Sequence, residues 1–144
     1  MRVLVVANQT LGGGELLAAI EQRRAGGLCS VHILVPATRP HDLYTNMLDA
    51  YRGHLPDDRA ARTAAEDRLD RELAWLREKG IEADGEIGDP DPLTAITHVL
   101  GREGHDYDEI IISTLPTHMS RWLRMDLPHR AQRAFAIPVT HVTG

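Results

Sequence analysis

The chain has 144 residues, 42 % hydrophobic and 26 % charged, which suits one domain spanning 1–144 with a single core and excludes general disorder. A formal net charge of −5 argues against neutralising a nucleic-acid backbone. The lone cysteine, Cys29, excludes an internal disulfide and a multi-cysteine metal centre, and no apolar run is long enough for a signal peptide or a membrane span.

These bulk properties lead to the expectation of a cytoplasmic protein with no metal. Lys79 is the only lysine and the other basic residues are arginine, a composition expected of a GC-rich bacterial gene.

Arg2 to Ala7 is short, β-branched and nearly all apolar, as a strand covered on both faces must be. The polar, glycine-bearing turn Asn8 to Gly14 leads into a helix over Glu15 to Ala25, with Leu16, Leu17 and Ile20 at helical spacing. Gly26 and Gly27 end it. Val31 to Val35 is a second buried strand. Pro36 to Pro56 is irregular, and Tyr44 to Tyr51 is the stretch within it able to form a short helix.

Asp57 to Lys79 is the clearest helix, with Ala61, Ala65, Leu69, Leu73 and Leu76 on one apolar stripe. The opposite charges four apart (Arg62 and Glu66, Asp67 and Arg71, Arg68 and Glu72) read as its solvated side. Ile81 to Ile87 is a weaker strand. Asp91 is a good N-cap, with Pro92 in the first turn of a helix that buries Leu93, Ile96, Val99 and Leu100. Ile110 to Ile112 is the heart of a fourth strand. Ser120 to Phe135 is helical in outline with an interruption expected at Pro128, and Pro138 to Val142 is a last strand.

Strand and helix alternate and the chain ends on a strand. That order predicts a three-layer α/β sandwich with a five-stranded parallel sheet. In such a sheet, ligands bind beyond the carboxyl ends of the strands, where the strand order reverses. The candidate segments are therefore Asn8 to Gly14, the loop after Pro36, Gly88-Asp89, and Ser113 to Thr117.

Element order, lengths, the loop after the fourth strand and the IPVTHV ending together resemble the universal stress protein family over essentially the whole chain. The resemblance implies a Rossmann-like fold of the adenine-nucleotide alpha-hydrolase type with strand order 3-2-1-4-5. It also implies frequent homodimers and, in one subgroup, an ATP or AMP site. That subgroup carries G-x2-G-x9-G followed by Ser or Thr after the fourth strand. Here Ser113 to Asp126 contains no glycine, nor does any residue from His105 to Thr143, and the last Gly-Ser of the motif becomes Met125-Asp126. The aspartate that ATP-binding members place after the first strand is replaced by Asn8-Gln9-Thr10.

The candidate ligand residues are Asn8, Gln9, Thr10, Gly12, Pro36, Ser113 and Thr114. Arg121 and Arg124 face a phosphate or pair with acids, and Asp126 caps the following helix with its carboxylate. Gly12-Gly13-Gly14 lacks the Lys-Ser/Thr of a P-loop. His32, His98 and His141 read as local hydrogen-bonding groups. His118 and His129 are the histidines to test for metal binding or proton transfer.

No recognisable catalytic set is present, and a non-enzymatic protein is the expectation. Three readings stay open: a binding or regulatory protein whose ligand is a nucleotide or a related small molecule; a ligand-independent homodimer joined through Pro138 to Val142; and, more weakly, an enzyme of the nucleotide-binding α/β group.

Overall fold

The computed structural model describes residues 1–8, 10–27, 30–37, 58–102, 106–116, 121–124 and 126–143, with the side chains of 58–61, 121 and 124 excepted. The Tyr44 to Tyr51 helix, Gln9, Cys29, His118 and Met125 lie outside the described residues.

The strands are β1 (Arg2–Val6), β2 (Ser30–Pro36), β3 (Ala83–Gly88), β4 (Glu109–Thr114) and β5 (Val139–Thr143). The described helices are α1 (Gly14–Ala25), α2 (Asp58–Glu78), α3 (Pro92–Leu100), α4 (Arg121–Arg124) and α5 (Leu127–Ala134). The sheet is parallel throughout, in the order β3-β2-β1-β4-β5.

β1 is apolar on both faces because both faces are covered. Val3 and Val5 pack with α1 and α2, through Leu16, Ile20, Leu69 and Leu76. Leu4 and Val6 pack on the opposite layer, with Ile96, Trp122 and Leu127. Trp122 thus anchors the short α4 on the core.

At the amino end of the sheet, the Arg23 fork donates to both Glu109 carboxylate oxygens at 2.8 Å, joining α1 to β4. Thr140 on β5 donates to the same carboxylate. The Arg23 hydrogen bond holds Glu109 below the usual carboxylate range. His32 meets Asp84 at 2.7 Å through Nδ1 and Glu86 at 3.0 Å through Nε2, the local hydrogen-bonding role expected of it.

Asp91 caps α3 by accepting from the Thr94 N–H. The last expected helix, over Ser120 to Phe135, is broken before its proline rather than at it. The break falls between α4 and α5, and Pro128 stands in the first turn of α5, where its missing N–H costs nothing.

Gly85 on β3 is a packing glycine. A Cβ there would meet the Ile33 carbonyl oxygen at 2.8 Å and Leu69 Cδ1 at 2.7 Å. Gly85→Ala is expected to lower unfolding free energy by about 1–3 kcal/mol in a urea titration. Gly14→Ala, at the start of α1 with nothing within 4 Å of its added methyl, should be neutral or slightly stabilising in the same measurement.

Candidate functional site

β1 and β4 lie side by side, with Val6 opposite Ile112. β1 continues leftward to β2 and β4 rightward to β5, so the strand order reverses between them. The residues that follow both strands meet there. Asn8 donates from Nδ2 to the Pro36 carbonyl at 3.1 Å, tying the end of β1 to the end of β2. Its Oδ1 accepts from Arg68 Nη1 of α2 at 2.9 Å. Thr10 Oγ1 donates to the Ser113 carbonyl at 3.3 Å, tying the turn to the end of β4. Gly12 sits at φ +83°, a left-handed backbone that suits glycine.

Ser113 and Thr114 point to opposite faces, as neighbours in a strand do. Ser113 Oγ is buried without a partner among the described residues. Thr114 Oγ1 lies 2.7 Å from His141 Nε2 in a hydrogen bond. Burial lowers the His141 pKa against the opposing pull of Glu15. The structure therefore brings Asn8, Thr10, Gly12, Pro36, Ser113 and Thr114 to one end of the sheet. The side chains of Asn8, Thr10, Ser113 and Thr114 are buried, and of these Ser113 offers a hydroxyl with no hydrogen-bond partner among the described residues.

Asp126 departs from expectation. It occupies the N-cap position of α5, yet its side chain makes no cap hydrogen bond. Its backbone is left-handed, with φ 56° and ψ 38°, and a cap that reaches N2 or N3 needs an extended residue. The carboxylate instead meets His129 Nδ1 at 2.7 Å and Arg133 at 4.0 Å. The side chains of Arg121 and Arg124 lie outside the description, so their role toward a phosphate is an expectation only.

The loop after β4 supplies no glycine to open backbone amides, and a carboxylate stands where the motif has a hydroxyl. Among the described residues, no group of three His, Cys, Asp or Glu side chains could hold a metal ion.

A second concavity of about 460 Å³ lies beyond β3, with Leu34, Gly88 and Ala95 inside and Asp89, His98 and Arg102 at its rim. Its strongest polar groups are committed to each other, since Arg102 forks onto Glu86 at 2.6 and 2.7 Å. Burial raises the Glu86 pKa, but the hydrogen bonds from Arg102 and His32 outweigh it and hold the carboxyl low.

No protein-family model matches the chain, and no curated protein matches it. Among solved structures, the universal stress protein from Archaeoglobus fulgidus superposes over 98 % of this chain and 92 % of that one, with a TM-score of 0.58 and 17 % identity. The chain has the universal stress protein fold. The strand order implied by the family resemblance is the order observed.

Two residues at this end of the molecule were misplaced by sequence reasoning. Arg68 and Glu72 do not form a solvated pair. Arg68 reaches inward to Asn8, and Glu72 is 5 % exposed. The spacing held a signal for Glu72, which stands three residues after Leu69 and four before Leu76, on the apolar stripe itself. By contrast Arg62 and Glu66 do pair on the surface, at 3.4 Å.

Relieving the left-handed backbone at Asp126 gives a test of its conformation. Asp126→Gly is expected to raise stability by up to about 1 kcal/mol, read as a higher urea midpoint at unchanged slope. Loss of the exposed His129 pair should subtract little from that gain.

Proposed function

We propose that the chain is a small binding or regulatory protein whose ligand, a nucleotide-related or other polar small molecule, sits in the crevice beyond β1 and β4. The observation that carries this reading is the convergence of Asn8, Thr10, Ser113 and Thr114 at the point where strand order reverses. Recognition relies on the turn after β1 and the end of β4, without a phosphate loop.

The test is to denature natively purified protein and search the released material by absorbance and mass spectrometry. A stoichiometric small molecule supports the reading. No release, together with no thermal shift from nucleosides or AMP, defeats it for those ligands. ATP itself should leave the melting temperature unchanged, and Met125→Gly with Asp126→Ser should create a measurable ATP shift.

A second reading is a homodimer through β5, supported by a contrast between the two sheet edges. β3 carries Asp84 and Glu86, charges that discourage edge pairing, whereas β5 reads Val-Thr-His-Val-Thr with no formal charge at neutral His. Sedimentation across a concentration series should give a mass of two chains. His141→Lys, which puts a charge on the exposed edge, should return it to one; a single-chain mass for the unmodified protein would end this reading.

A further inference from the structure

Glu72 is a buried carboxyl on a helix face that is otherwise apolar, between Leu69 and Leu76. Its Oε1 has no hydrogen-bond partner among the described residues. Above it passes the turn after β1: a side chain on Gly12 would point at the Glu72 carboxyl, whose Oε2 lies 3.7 Å from the Cβ position. Among the described residues a charged oxygen in that place has no donor, a costly arrangement for a carboxylate and a milder one for the neutral acid.

Among the described residues the charged groups around it are few. The faces of β1, β2 and β3 turned toward α2 carry no titratable side chain. On β4 and α1, Glu109 and Arg23 are committed to each other at the amino end of the sheet. Glu15, in the first turn of α1, accepts from the Thr143 N–H on β5. The described residues of the turn itself, Asn8 and Thr10 to Gly13, are not titratable. On α2 the charged neighbour is Arg68, one turn back, whose Nη1 is held by Asn8 Oδ1 at 2.9 Å.

We propose that Glu72 is a proton-operated latch on the turn after β1. Neutral, it lies closed beneath Thr10 to Gly13. When it releases its proton to solvent, the carboxylate draws Arg68 away from Asn8, and the turn that Asn8 anchors to Pro36 is loosened. The device joins α2 to the residues lining the crevice. It follows from burial and geometry alone, and it stands whether or not the crevice takes a small molecule.

The direction of the effect follows from burial, which pushes the Glu72 carboxyl up. A group whose folded pKa is raised contributes its full stability below the ordinary carboxylate range. That contribution is lost as pH rises through the folded value.

The experiment combines a carbon-13 NMR titration of the Glu72 side-chain carboxyl with amide exchange of residues 10–13 in the unmodified chain and in Glu72→Gln. The carboxyl should titrate above the ordinary range. The exchange-rate ratio of unmodified chain to Glu72→Gln should be near one at low pH and climb by up to about tenfold per pH unit above the titration, while β1 amides keep a constant ratio. Arg68→Gln, which keeps a donor for Asn8 but supplies no charge for the carboxylate to draw, should flatten the climb. Titration of Glu72 in the ordinary range, or equal exchange in both proteins at every pH, overturns the latch. A pH response unchanged by Arg68→Gln overturns the Arg68 relay. Because the NMR titration uses the unmodified chain, it decides the matter even where a variant folds poorly.

Discussion

Parallel pairing of β1 with strands on both of its sides is the constraint on which this molecule turns. Parallel neighbours cannot be joined by a hairpin, so each connection must cross a face of the sheet. β1 therefore has to be apolar on both faces, and its Val-Leu-Val-Val run is. The same pairing sends the chain left from β1 and right from β4. A crevice between their carboxyl ends is a geometric consequence of that divergence, whatever residues line it.

The lining residues then face a conflict. At the ends of β1 and β4 the backbone must leave a dry sheet and become a turn, and its polar groups need partners. Asn8 and Thr10 meet that need by bonding the ends of β2 and β4, and Thr114 bonds His141. Polar side chains at this end of the sheet thus serve the fold first. Among the described residues, Ser113 Oγ and Glu72 Oε1 are not absorbed in this way and leave chemistry available.

The two ends of the sheet also differ in how they treat charge. At the amino end, Glu109 is buried with a forked arginine and a hydroxyl, so its ionised form is the stable one. Near the carboxyl end, Glu72 is buried with neither among the described residues, and burial pushes its carboxyl up. Acid and base therefore strain opposite ends of the same sheet.

By itself the sequence determined element order, the parallel class of the sheet, the apolar stripe of α2, the Asp91 cap and the absence of a glycine-rich phosphate loop. These are local or periodic properties, written in runs of neighbouring residues. The tertiary structure alone decided that Arg68 and Glu72 turn inward, and that Thr114 finds His141 while Ser113 Oγ finds no partner among the described residues. Each depends on what lies across a gap of many residues: Asn8 waits for Arg68 from sixty positions away, and His141 for Thr114 from twenty-seven. Spacing along one helix marks which side chains share a face, but only packing determines whether that face meets water or another chain segment.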